Sequence, residues 1–290
     1  MQKLSHIAEL IKKHSGPDYV TDVLPGVRLL KRSSLTEPLG GLAVPTFAVV
    51  AQGSKCTVIG DSVHHYNAGE YLVVSLEVPV SAHITKASEE EPFLGLEMSL
   101  DPTALASLAL ETNLAPIKHD APSSAGVGSV SDLLLDPLVR LLSLLDTPTD
   151  ATALRPAIER ELMWRLLNGA HASIVRQIGL VGTPLSRVVD AIEWLKHNFA
   201  EPIHVEELAD RAGMSVTSFH RHFRRATSMT PIRYQKRLRL IQARTKLMSE
   251  QRSVASIGFE MGYESASQFN REYRREFGSS PGIDAARFRT

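Results

Sequence analysis

The chain has 290 residues, 43% of them hydrophobic and 22% charged, with 32 Lys+Arg against 32 Asp+Glu. That is enough for one large or two ordinary domains, and it excludes collagen-like and wholly disordered classes. A single cysteine, Cys56, excludes an intramolecular disulfide framework and a Cys-rich zinc site.

The N-terminus lacks the apolar core and small-residue cleavage site of a signal peptide. The longest mostly apolar stretch, Leu39 to Ala51, is broken by Pro45 and too short for a bilayer, so a soluble, cytoplasmic protein is expected. Short strands are predicted at Arg28–Ser33, Thr46–Ala51, Lys55–Ile59, Tyr71–Leu76, Ala82–Lys86 and Phe93–Leu100. Turn signals at Gln52-Gly53-Ser54, Gly60-Asp61-Ser62, Asn67-Ala68-Gly69 and Pro79 separate them, the pattern of an all-β barrel or sandwich. Asp101 to Asn113 reads as a helix and Ala115 to Ser131 as a loop. Helices follow at Leu133–Leu145, Ala157–Leu167 and Ala170–Ile178. The first is so rich in leucine that it must be packed inside or paired with a partner chain. Gly179 to Pro184 is the expected boundary, and the rest reads as almost wholly helical.

The balanced charge conceals a dipole. Up to Pro184 there are 14 basic and 20 acidic residues, and after it 18 and 12, so the halves carry −6 and +6. Arg211 to Ser249 holds no carboxylate but ten basic residues: Arg211, Arg221, Arg224, Arg225, Arg233, Lys236, Arg237, Arg239, Arg244 and Lys246. Such a stretch suits a polyanion; the competing explanation is a solvated helix face whose countercharges come from the acidic half.

The basic half contains a repeat of about fifty residues, the kind of signal that defines an architecture. Gly213, Ser215, Phe219, Arg221, Phe223, Arg224, Arg225 and Pro231 correspond to Gly262, Ser265, Phe269, Arg271, Tyr273, Arg274, Arg275 and Pro281. Each copy reads as a short helix, a glycine turn and a longer helix, the form of a helix-turn-helix. Ser215 and Ser265 sit at N-cap positions, and Ser265 with Gln268 has capping-box spacing. Phe219 and Phe223 face inward, so Thr217, His220, Arg221 and Arg224 share the outer face, with Ser267, Asn270, Arg271 and Arg274 as equivalents. Arg is shaped to bridge guanine O6 and N7, and Asn does the same for adenine. Arg224, Arg225, Arg274 and Arg275 lie further along and suit phosphates. Pro231 to Met248 reads as one helix, with Tyr234, Leu238, Ile241 and Met248 on one side. At about 1.5 Å per residue it reaches roughly 27 Å, the scale for holding two such helices in successive major grooves about 34 Å apart.

At these residues the C-terminal hundred or so positions resemble the AraC/XylS family of bacterial transcription regulators. The likeness is carried by Gly262-Tyr263-Glu264-Ser265, Phe269, Arg271-Glu272-Tyr273-Arg274-Arg275-Glu276-Phe277-Gly278 and Pro281. The N-terminal half resembles the sensor domain of one subgroup at Gln52 to Lys55, Tyr71 to Val80, Glu91 to Leu96, Pro137 to Leu142 and Arg160 to Gly169. The resemblance implies a two-domain fold: a cupin-like effector-sensing β-barrel over 1–130, a helical linker and dimerisation region over 131–182, and an all-α DNA-binding domain over 183–290. Its two helix-turn-helix units, at about 203–225 and 253–277, would be joined by a long helix. It also implies base contacts by Thr217, His220, Arg221, Ser267, Asn270 and Arg271 on double-stranded DNA, a homodimer, contact with RNA polymerase, a small-molecule effector, and activation rather than repression. The leucine-rich helix then becomes a candidate dimer element.

The barrel also raises an enzyme alternative, because many cupins hold a metal on histidines and a carboxylate. His64 and His65 are adjacent and would point to opposite faces of a strand, and His83 with Glu97 or Glu77 lacks the expected spacing, so no enzyme and no metal site are expected. Cys56 reads as a buried small hydrophobe, with electrophile sensing as the alternative. Arg28 and Arg32 share one strand face, an arrangement suited to phosphate or carboxylate or to a solvent-facing edge. If the pair lines the barrel mouth, an anionic effector such as a cyclic dinucleotide is reasonable; otherwise a small neutral or carbonyl compound is expected.

Overall fold

Ten strands form the first half of the computed structural model, which describes residues 2–112, 114, 123–178 and 184–287. They are β1 (Val20–Leu24), β2 (Val27–Arg32), β3 (Leu39–Ala43), β4 (Thr46–Gln52), β5 (Ser54–Ile59), β6 (Ser62–Asn67), β7 (Glu70–Val74), β8 (Val78–Lys86), β9 (Phe93–Ser99) and β10 (Ala125–Ser129). A six-stranded sheet has the order β1-β2-β9-β4-β7-β10 and a four-stranded sheet the order β3-β8-β5-β6, with every pairing antiparallel. The sheets face each other across a cavity. The outer face of the larger sheet is covered by helices, so strands such as β4 are buried on both faces and read as continuous apolar runs.

An N-terminal helix absent from the sequence reading, α1 (Gln2–His14), lies on that outer face. It turns Ile7, Leu10 and Ile11 onto the sheet and places Lys12, Lys13 and His14 in its last turn, where cations suit the helix dipole. Beside it run α2 (Pro102–Glu111), capped by Asp101, then α3 (Asp132–Ser143) with a tight turn at 144–146, α4 (Pro148–Leu167) and the single turn α5 (Ala172–Val175). The leucine-rich helix packs inside: Leu134, Leu135, Leu138, Leu141 and Leu142 are buried within this chain, each burial contributing about 1.5–3 kcal/mol, and Leu133 points outward.

The sequence missed β1, β3, β6 and β10. β3 is Leu39-Gly40-Gly41-Leu42-Ala43, and β10 lies in the expected loop as Ala125-Gly126-Val127-Gly128-Ser129. Glycine in a strand marks close approach of another group. A Cβ on Gly40 would lie 2.5 Å from the Phe277 ring, and one on Gly126 would lie 2.4 Å from the His171 ring. Pro79, read as a turn signal, sits inside β8 opposite Leu42. The expected helix over 170–178 shrinks to α5, and the expected boundary at 179–183 lies outside the described residues, as do Asn113 and 115–122 of the expected helix and loop.

The second half is helical: α6 (Pro184–His197), α7 (Val205–Arg211), α8 (Val216–Thr227), α9 (Pro231–Ser249), α10 (Val254–Glu260), α11 (Ala266–Phe277) and α12 (Pro281–Arg287). α9 is the central rod. Tyr234 and Leu238 join an apolar cluster with Phe219 and Phe223, whereas Leu240, Ala243 and Leu247 join a second with Phe269 and Tyr273. Leu247 takes the inward place expected of Met248, which is exposed. The first cluster also contains Leu76, Val78 and Val74, so the two halves share an apolar core instead of hanging on a free linker.

Candidate nucleic-acid interface and sensor cavity

The repeat folds twice into the same unit. Met214 N–H donates to Ala209 O in the first turn (2.9 Å) and Tyr263 N–H to Gly258 O in the second (3.1 Å). Gly213 and Gly262 take φ of +59° and +81° there, a conformation that costs other residues a Cβ clash. Ser215 Oγ accepts from Ser218 N–H and Ser265 Oγ from Gln268 N–H, closing the N-termini of α8 and α11. Leu208 and Ile257, Phe219 and Phe269, and Phe223 and Tyr273 are fully buried equivalents.

With those aromatics inward, Thr217, Arg221, Arg224 and Arg225 are exposed on α8 and His220 is half-buried; Ser267, Asn270, Arg271, Arg274 and Arg275 are exposed on α11. Asn270, Arg271, Arg274 and Arg275 line one shallow surface depression of about 440 Å³. Asn270 donates to Ala266 O at 2.7 Å, which fixes its amide at the start of that face. Burial, followed by Arg221 and Arg225, pushes the His222 imidazole below its ordinary value, so the charge of α8 comes from its arginines.

The ten-cation stretch divides by use. Arg233 pairs with Asp61, Lys236 with Glu272, Arg237 with Glu276, Arg244 with Asp284, and Lys246 with Glu250 and Glu260. Arg239 donates to the carbonyls of Phe199, Ala200, Glu201 and Gly262, tying α9 to the second turn, and Arg211 lies 4.9 Å over the Trp194 ring. Most of the polyanion footprint on α9 is therefore internal pairing. Among the described residues Arg221, Arg271, Arg274 and Arg275 form no ion pair.

A cavity of about 410 Å³ lies between the sheets. Arg28 lines it and donates to Glu97 Oε2 (2.7 Å); Lys55 donates to Glu97 Oε1 (3.1 Å) from across the cavity. Burial alone would lower the Lys55 ammonium and raise Glu97. Tyr66, Glu97 and Tyr19 outweigh it for Lys55, Lys55 and Arg28 outweigh it for Glu97, and both groups stay charged. Sequence reasoning missed Lys55; its signal was a lysine within a predicted strand, on the same face as Thr57 and Ile59. Arg32 does not line the cavity and points its Nε at Ser34 Oγ instead.

His64 is half-buried and His65 exposed, on opposite faces of β6. His83 lies opposite Cys56 in the strand register, on the face away from Lys55 and Glu97, so His83 and Glu97 are not brought together. Among the described residues no three His, Cys, Asp or Glu side chains converge as a metal site. Cys56 is buried 4.0 Å from His65 Nε2, and burial raises its thiol, as expected of a small hydrophobe.

Two family models match: AraC-type transcriptional regulator N-terminus over residues 23–174, more than half of the chain, and helix-turn-helix domain over 208–285. The chain belongs to the AraC/XylS family of transcriptional regulators. This AraC-type chain is 33% identical over 129 residues to the HTH-type transcriptional activator RhaS of Yersinia pestis bv. Antiqua (strain Angola), covering 44% of this chain and 45% of that one. It is 41% identical over 96 residues to RhaS of Escherichia fergusonii, covering 33% and 34%. The chain thus spans less than half the length of the curated relatives it matches. Among solved structures, an apo form of ToxT from Vibrio cholerae strain SCE256 superimposes with a TM-score of 0.58 at 8% identity, covering 90% of this chain and 97% of that one, so the two-domain fold is shared. Among the described residues, no helix of this regulator is long and apolar enough to cross a membrane.

Proposed function

We propose that this chain is a one-component, sequence-specific transcription regulator of the cytoplasm, more an activator than a repressor, and not an enzyme. α8 reads base edges through Thr217, His220 and Arg221, and α11 through Ser267, Asn270 and Arg271. Arg224, Arg225, Arg274 and Arg275 hold phosphates. The observation that carries the reading is the matched pair of units on one rod: two capped helices with aromatics inward and arginines outward. The RhaS relatives are transcriptional activators, which supports activation. The domains follow as 1–130, 131–182 and 183–290. A small effector in the sensor cavity controls the DNA-binding half through the direct contacts of β3, β8 and the β5–β6 turn with α8, α9 and α11. The regulator acts as a homodimer with RNA polymerase, its pairing surface lying away from the buried leucines of α3.

Selection from random duplex DNA by the purified full chain, at two salt concentrations, tests this. The expected product is a motif of two short blocks one helical turn apart. Recovery of no motif, with binding that vanishes at the higher salt, would reduce the interface to phosphate contact and overturn the reading.

A further inference from the structure

The two units of the repeat differ in what holds their second helices. α11 carries Glu272 and Glu276 four residues apart, on one face. α9 answers with consecutive cations: Lys236 Nζ donates to Glu272 Oε1 at 3.4 Å and Arg237 Nε to Glu276 Oε1 at 2.6 Å. Glu272 is only 7% exposed, and its second oxygen, Oε2, accepts from the Tyr263 hydroxyl at 3.3 Å. Tyr263 follows Gly262, whose carbonyl accepts from Arg239 of the same rod at 3.0 Å. Further along α11, the Tyr273 hydroxyl donates to Asp284 of α12 at 2.9 Å. The equivalent positions of the first unit are Met214, His222, Phe223 and Ala226, and none of them offers a carboxylate or a phenol. α8 is seated by Phe219 and Phe223 in the apolar cluster, and its exposed Arg224 lies 3.9 Å from Asp61.

Apolar packing has no preferred direction, whereas a buried and satisfied polar network fixes one arrangement. Direction matters here, because a guanidinium bridges guanine O6 and N7 only when the backbone that carries it is held to within about 0.5 Å. Glu272 is the inward neighbour of the exposed Arg271, so the network anchors α11 at the residue next to the side chain that must be aimed. Resting on the DNA reading above, we infer that α11 is the principal specificity reader, with Glu272 as the positioning residue for Arg271, and that α8 adds affinity with weaker discrimination. The ligand this defines is a duplex with two unequal blocks. The strict block lies under α11 and contains a G·C pair and an A·T pair, read by Arg271 and Asn270. The permissive block lies under α8.

Competition between the selected duplex and its single-base-pair variants for the purified full chain tests this. Arg271→Ala and Arg221→Ala mark which block each helix reads. In the wild-type chain a change at the Arg271 base pair should cost about tenfold or more in affinity, the scale of a lost bidentate pair. Any change in the α8 block should cost no more than about threefold, below the usual cost of a mismatch. Glu272→Ala should cut the α11 factor about fivefold, the scale of a buried hydrogen bond, and leave the α8 factor unchanged. Glu272→Gln, which can still accept from Lys236 and Tyr263, should keep most of it. Partial unfolding lowers affinity for every duplex alike and moves neither factor. Tyr263→Phe, which removes one hydroxyl, should lower the α11 factor in the same direction and serves if Glu272→Ala does not fold. Two blocks of equal strictness in the wild-type chain, or an α11 factor that survives both Glu272→Ala and Tyr263→Phe, overturns the inference while the DNA reading stands. Recovery of no motif sinks the DNA reading and this inference with it.

Discussion

Arginines with the same sequence signature do opposite work in this chain. Arg239 spends its guanidinium on four backbone carbonyls at the second helix-turn-helix and Arg244 on Asp284, whereas Arg271 and Arg274 stand exposed on α11. Charge counting could not separate them, because apart from Glu250 the carboxylates that neutralise α9 come from the β5–β6 turn, α10, α11 and α12, far from their partners in sequence. The separation makes a prediction. Arg271→Ala should cost about 1–3 kcal/mol of DNA binding and relax specificity at one position, while Arg274→Ala should weaken all sequences alike and lower the salt slope by about one. Electrophoretic mobility shifts on the selected motif and its single-base variants, across a salt series, measure both. If Arg271→Ala weakens every sequence equally, α11 does not read bases where it is placed here.

At the scale of elements, the repeat was legible because both copies must satisfy the same constraints: a glycine turn, an N-cap serine and two aromatics four residues apart. Not all of its glycines are equal. At Gly213 a Cβ meets nothing closer than 3.5 Å, so Gly213→Ala should cost only the left-handed backbone penalty of about 1–2 kcal/mol. At Gly262 a Cβ would lie 2.0 Å from the Ala200 carbonyl oxygen, so Gly262→Ala should cost clearly more and loosen the second unit selectively. Urea melts with hydrogen exchange resolve the two, and equal losses would contradict the packing at Ala200. The elements that stayed illegible are those whose reason is tertiary. Phe277 presses on Gly40 of β3, and His171 on Gly126 and Gly128 of β10, and no local pattern reveals a ring arriving from more than forty residues away.

His171 also sets a pH dependence. Its Nδ1 meets the Tyr71 hydroxyl at 2.9 Å, and burial pushes the imidazole below its ordinary value. Between the folded value and about 6.5, the unfolded chain binds the proton that the folded one refuses. Stability is therefore full above that window and falls as pH drops through it. His64 is lowered by burial and His222 by burial and its neighbouring arginines in the same sense, so among the described residues the wild-type slope has three contributors. Thermal melts from pH 5 to 8 should show a shallower slope for His171→Gln than for wild type; an unchanged slope would remove His171 from the account.

For the whole molecule, the decisive fact is that the N-terminal half meets the C-terminal end of α8 directly. The β5–β6 turn, Gly60-Asp61-Ser62, docks where α8 ends: Ser62 Oγ lies 3.1 Å from Ser228 Oγ, and a Cβ on Gly60, at φ +59°, would sit 2.2 Å from the Ser228 carbonyl oxygen. Asp61 pairs with Arg233 at the start of α9 and lies 3.9 Å from Arg224, one of the arginines assigned to phosphates. The Arg233 partnership holds the Asp61 carboxyl below the usual carboxylate range, so it remains an anion facing the surface that DNA must approach. A carboxylate there competes with the phosphate backbone for Arg224 and repels the strand that carries it. Asp61→Asn should then tighten DNA binding of the effector-free chain by about two- to fivefold, the range of an exposed ion pair. The gain should shrink as salt rises, because both effects are screened. Gly60→Ala, which cannot dock without moving the turn, should give the same direction through a different cause. Fluorescence anisotropy with a labelled operator duplex measures both variants. Unchanged affinity in the two would mean that docking leaves α8 free to bind, and that control by the N-terminal half would have to run through its other contacts, β3 with Phe277 and β8 with α9.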